Sequence, residues 1–148
     1  MANECIPTME AAYTQKVTAH ADAALTGKCF VAPLTQYQNA QAPGLAADPL
    51  AAGDGSNLRT PGLPTAAGQV AGVCAYDVPS GGKASIIRGA GTILPVTAGA
   101  AITVGAELQV DGSGRVVPYS AGKKVGIAHT AAAGAGTDVM VELYPNPV

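Results

Sequence analysis

The side chains able to do chemistry are few and scattered. Histidine occurs twice, at His20 and His129, and cysteine three times, at Cys5, Cys29 and Cys74. Imidazole and thiolate are the preferred ligands of zinc, but no Cys-x-x-Cys or His-x-x-x-His spacing gathers them. None of Ser56, Ser80, Ser85, Ser113 and Ser120 sits in the Gly-x-Ser-x-Gly turn that would expose a nucleophile. No Gly-x-x-x-x-Gly-Lys loop precedes Lys28, Lys83 or Lys123, so a phosphate-cradling P-loop is excluded. Gly89-Ala-Gly91 and Gly134-Ala-Gly136 lack the third glycine of a dinucleotide fingerprint and read as turns. Glu107 and Asp111 share a strand face beside a turn, which fits a solvated face better than an acid/base pair. No catalytic residue, metal or cofactor is expected. His20 and His129 each end a strand and are expected at a surface or an interface.

The 148 residues allow one domain. Apolar residues reach 48%, but much of this is alanine, with one Phe and no Trp, so a monomer would have a thin core. Part of the apolar surface is therefore expected against another subunit or partner. Charged residues make up only 12%, with a net charge of −2. That leaves no basic footprint for nucleic acid or for an anionic membrane. An odd number of widely spaced cysteines is no secreted disulfide framework, and buried or half-buried free thiols are expected. Met1 to Pro7 has neither a basic nor an apolar signal-peptide region, and no apolar run is long enough to span a membrane.

The elements that would position any site are strands. Residues 1–14 read as an arm, with Pro7 fixing a turn. Gln15 to His20 alternates weakly, and Lys28 to Ala32 is a second candidate strand. Residues 34–66 form a long Pro/Gly/Gln-rich insert in which Pro43, Pro49, Pro61 and Pro64 exclude a long helix or a central strand. A loop of that length, when ordered, is usually functional. Val70 to Tyr76 carries small or apolar residues on both faces, as a strand covered on both sides would. Lys83 to Arg88, Thr92 to Val96 and a short Ala101 to Val104 follow, and Pro95 demotes its strand to an edge. Glu107 to Val110 and Arg115 to Tyr119 flank Asp111-Gly-Ser-Gly114, a hairpin signal. Lys123 to His129 is read with Val125 and Ile127 on one face, and Asp138 to Tyr144 with Val139, Val141 and Leu143 on one face. About nine or ten short strands with frequent turns predict an all-β sandwich or small barrel. The expected organisation is an arm at 1–14 and a single β domain at 15–148, with 34–66 as a loop insertion.

Several runs together resemble the capsid decoration, or cement, proteins of tailed bacteriophages. They are Gly72-Val-Cys-Ala-Tyr-Asp77, Gly81-Gly-Lys-Ala-Ser-Ile-Ile-Arg88 and Gly91-Thr-Ile-Leu-Pro-Val-Thr-Ala-Gly-Ala-Ala-Ile102. Gly105-Ala-Glu-Leu-Gln-Val-Asp-Gly-Ser-Gly-Arg115, Val125-Gly-Ile-Ala128 and the ending from Ala131 to Leu143 belong with them. The opening Met1 to Pro7, followed by Gly27-Lys-Cys-Phe-Val31, is similar to actinophage-type members. The likeness leaves out residues 34–66, the main departure of this chain.

The resemblance implies a virion protein without catalytic activity, made in the bacterial host cytoplasm. It would sit on the outer surface of the mature head, commonly as a homotrimer, bridging major capsid protein subunits against internal DNA pressure. It also implies an arm that is mobile in solution and binds the capsid, with Asn3, Glu4, Cys5, Ile6 and Pro7 as candidate contacts and Ile6 and Pro7 as anchors. Tyr37, Pro43, Leu45, Pro49, Leu58, Arg59 and Leu63 are the candidate contacts of the long loop. Two other classes stay open. One is a trimeric β-barrel enzyme or accessory domain whose inter-subunit pocket gathers Asp77, Lys83, Arg88 and Tyr119. The other is a host- or carbohydrate-binding surface module, against which the lack of Trp counts.

Overall fold

The computed structural model describes residues 4–7, 14–36, 58–60 and 62–145. Among them are eleven strands and no helix: β1 Gln15–Ala21, β2 Phe30–Val31, β3 Thr35–Gln36, β4 Leu58–Thr60, β5 Gly72–Cys74, β6 Lys83–Arg88, β7 Ile93–Thr97, β8 Glu107–Val110, β9 Val116–Pro118, β10 Gly126–Ala128 and β11 Asp138–Leu143. They form a six-stranded sheet in the order β2-β5-β6-β1-β4-β3 and a five-stranded sheet in the order β7-β11-β10-β8-β9. The second sheet curls until Ala98, just past β7, bridges Val116 of β9. The predicted all-β class is therefore the observed one.

The longest ladder in the first sheet joins β1 to β6, from Gln15↔Arg88 to His20↔Lys83. Its neighbour β5 places Val73 opposite Ile87 and Cys74 opposite Ile86. Side chains alternate between faces along a strand, yet all four of these residues are at most 1% exposed. Val73 and Ile87 enter the main core, with Phe30 and with Leu94, Val96, Leu108, Val110, Val139 and Val141 of the second sheet. Cys74 and Ile86 enter a smaller core with Ala19, Ala84, Leu25 and Val78. The turn segments that carry Leu25 and Val78 are bridged to each other and supply the cover. Each Val, Leu, Ile or Phe so buried contributes about 1.5–3 kcal/mol.

β7 lies at an edge of its sheet, as Pro95 requires. Several other expectations need correction. β3 and β4 fall inside the insert read as strandless: they stop short of Pro43 and Pro61 and so escape the proline restriction. β4 pairs in parallel with β1, His20 against Arg59, a long-range contact with no local signal. The Val70 to Tyr76 strand shrinks to β5, and Ala101 to Val104 to a single bridge from Ile102 to Ala132. Val125 and Ile127 do not share a face: Val125 is buried while Ile127 is half-buried. Gly126 lets the backbone there run against the carbonyl of Glu142, where a Cβ would collide. His20 is not at a surface. It is 3% exposed, because β4 covers the β1 edge on which it lies.

Two backbone positions with positive φ hold the sheets together. Gly114, at φ 76°, ends the β8–β9 turn and receives the Phe30 N–H on its carbonyl at 2.7 Å. A Cβ at Gly114 would collide with the carbonyl of Phe30, whereas one at Gly112 would meet nothing. Lys28, at φ 60°, forms a bulge beside β2: its N–H bonds the Cys74 carbonyl at 2.9 Å, and the Cys74 N–H bonds the Cys29 carbonyl at 2.9 Å. Glycine usually fills the left-handed position of such a bulge. Here the Lys28 carbonyl accepts the Thr97 N–H at 2.9 Å, and its ammonium meets Asp138 at 2.7 Å.

Gly114→Ala is expected to lower unfolding free energy in urea by about 1–3 kcal/mol, with Gly112→Ala within about 0.5 kcal/mol of the parent. Both Lys28→Ala and Lys28→Gly lose the ion pair, but the glycine variant sheds the left-handed cost of about 1 kcal/mol. It should therefore be the more stable of the two in the same titration.

Candidate functional site

The arm is fastened at Cys5. Its N–H donates to the Ala75 carbonyl at 2.6 Å, and its thiol donates to the Pro95 carbonyl at 3.3 Å. At 4% exposure it belongs to the main core and joins the first sheet to the edge strand of the second. The expectation of a mobile arm fails at this residue, because a small apolar side chain fills the seam between the sheets. Glu4 and Ile6 on either side are exposed, Ile6 at 68%, and Pro7 is half-buried. Asn3 lies outside the described residues, as do Tyr37, Pro43, Leu45 and Pro49. Leu58 stands in β4, opposite Gln36 of β3. Arg59 pairs with Asp22 at 2.9 Å, and Leu63 is 47% exposed.

A cleft of about 500 Å³ opens at one end of the two sheets. Phe30, Val70, Val125 and Leu143 give it apolar walls. Gln15, Arg88, Tyr144 and Pro145 also line it, and the Arg88 guanidinium donates to the Gln15 side-chain carbonyl at 3.2–3.3 Å. Its ionisable lining groups are Arg88 and Tyr144. Of the four residues named for an enzymatic pocket, only Arg88 lines the cleft. Asp77 accepts the Gly27 N–H at 2.8 Å, and Tyr119 packs under the Lys124 ammonium at 4.8 Å. Lys83 sits at the far end of β6 from Arg88. Periodicity in the sequence does not reveal this cleft, because its walls come from the ends of separate strands.

Several other polar groups are paired. Asp111 caps the hairpin turn, accepting the Ser113 and Arg115 N–H groups at 2.8 and 3.0 Å and the Arg115 guanidinium at 2.8 Å. This is the local turn chemistry typical of Asp. On the outer face of the second sheet Glu107 meets Lys124, and Glu142 meets His129, each at 2.7 Å. The hydrogen bond to Glu107 raises the pKa of Lys124. Among the described residues no group of three or more His, Cys, Asp and Glu is placed to hold a metal ion.

The three cysteines are free and buried. Burial pushes the Cys5 thiol up to about 12, and it raises Cys29 and Cys74 as well. Thiolates are the reactive form, so burial disfavours the reactive form of all three groups in the folded protein.

The site is thus an exposed segment beside a fixed cysteine, together with an apolar cleft, on a rigid β scaffold. That is the equipment of a structural or binding protein. The chain matches the family model of the phage cement proteins over residues 9–143 and belongs to that family. It is a phage structural protein that associates with the capsid. The match runs through the insert and begins after the opening Met1 to Pro7. Among solved structures, the head fiber gp8.5 N base of bacteriophage phi29 is similar, with a TM-score of 0.65 and 18% identity over 91% of this chain and 98% of that one. At that identity the likeness is one of fold. No curated protein matches the chain.

The thiols set an alkaline limit. The folded state keeps protons that the unfolded chain releases above about pH 9, so stability from thiol burial is complete below pH 9 and falls as pH rises toward 12. Native protein at pH 8 should resist alkylation at all three cysteines, and denatured protein should react at all three, as counted by mass spectrometry. The melting temperature should drop above pH 9, and a Cys5→Ala variant should show a shallower drop.

Proposed function

We propose that this protein binds the outer surface of the mature phage head, bridges neighbouring major capsid protein subunits and stabilises the shell against the pressure of packaged DNA. Family membership over residues 9–143 carries the reading. The solved head fiber base, a phage head protein by its own description, has a comparable fold. The paired polar groups and the buried thiols fit a purely mechanical role.

In this reading residues 1–14 are an arm, 15–148 form one β domain, and 34–66 are an insertion that touches the shell. Asn3, Glu4, Ile6 and Pro7 meet whatever lies beside the protein on the head, with Ile6 and Pro7 as anchors, while Cys5 stays in the core. The protein acts as a homotrimer at three-fold positions. Self-association supplies apolar burial that a core with a single Phe cannot. Many identical weak contacts over a shell give tight retention. Synthesis takes place in the host cytoplasm, and the protein leaves on the virion.

Purified protein incubated with undecorated heads should pellet saturably, at a stoichiometry matching the three-fold positions. Decorated heads should keep their DNA to a higher temperature than bare ones. Absence of pelleting at micromolar protein would overturn the reading.

A further inference from the structure

The arm and the cleft are complementary, and both are present on one chain. Exposure alternates over Glu4, Cys5 and Ile6 as in an extended segment, with Cys5 turned into the core. Glu4 and Ile6 therefore project together on the opposite side, a carboxylate and a large apolar side chain two residues apart. Ile6 is the most exposed large apolar residue described, at 68%, and Glu4 has no ion-pair partner among the described residues. The cleft offers the matching pair: apolar walls of Phe30, Val70, Val125 and Leu143, with the Arg88 guanidinium beside them. Its volume of about 500 Å³ is typical of sites that enclose an apolar group.

None of residues 4–7 lines the cleft of its own chain. Cys5 is held at Ala75, three residues past Gly72 of the cleft wall, and about 10 Å along an extended chain. Ile6 is not among the lining residues. We infer that the occupant is a second copy of this chain: Ile6 of one copy inserts into the cleft of the next, and its Glu4 pairs with Arg88 there. The two surfaces differ, so the contact is head-to-tail, and it closes into a ring when the rotation per copy permits. This inference rests on the proposed cement role only in taking the ring to be the trimer of that reading. It also gives the arm its partner, another copy rather than the shell protein.

The test is the mass of the full chain by size-exclusion chromatography with light scattering. The variants are Ile6→Ser, Glu4→Arg, Arg88→Glu and the double swap Glu4→Arg/Arg88→Glu. The parent should run as a closed oligomer. Ile6→Ser and each single charge reversal should weaken assembly about tenfold or more, and the double swap should restore it. Glu4, Ile6 and Arg88 are exposed, so the variants should keep the parent's melting temperature, and rescue by the swap separates lost contact from misfolding. A parent that is monomeric at about 100 μM overturns the proposal, as does any set of variants with the parent's mass. A monomer that pellets with heads and loses pelleting on Ile6→Ser would place Ile6 on the shell instead. That result keeps the cement role while overturning this contact. Assembly without pelleting would do the reverse.

Discussion

Two consecutive isoleucines, Ile86 and Ile87, are both fully buried. A strand sends consecutive side chains to opposite faces, so both can be buried only if each face of the sheet is covered. Much of the architecture follows from that demand. The curled second sheet covers one face, and the turns carrying Leu25 and Val78 cover the other. With one Phe available, the main core is filled by Val, Leu and Ala, and the two sheets must approach closely. Close approach is why Gly114 stands where a Cβ would strike the Phe30 carbonyl of the first sheet.

Polar groups serve the same closure. Lys28 accepts a left-handed backbone, forms a bulge against Cys74, and offers a carbonyl to Thr97 and an ammonium to Asp138, two links across the seam between the sheets. Cys5 closes the seam from the arm side, with a backbone bond to the first sheet and a thiol bond to the second. A scaffold fastened this way presents Glu4 and Ile6 from a fixed point, which lowers the ordering cost of binding.

Much of the domain was legible locally. β6, β11 and the β8–β9 hairpin stand close to where alternation and the Asp-Gly-Ser-Gly turn put them, because a strand's period and a turn's φ requirement are written within a few residues. The edge position of β7 followed from one missing N–H at Pro95. β3 and β4 were not legible, since two- and three-residue strands carry no period and β4 pairs with β1 across the insert. The side-chain direction of Val125 was misread for a related reason: the phase of the alternation changes at Gly126, and pattern reading carries one phase through. The fastening of the chain at Cys5 was not legible, because the partners at Ala75 and Pro95 are distant in the chain.

The sequence by itself determined the class: short strands, glycine turns, and a set of motifs resembling those of phage cement proteins. These are properties of residue type and near spacing, which act over a few bonds. Only the tertiary structure decided that His20 is buried, that Cys5 is a core residue, and that Arg88 borders an apolar cleft. Each depends on which strand ends meet in space. That is set by the pairing of segments far apart in the chain and by the closure of two sheets over one thin core, and no window of sequence contains either.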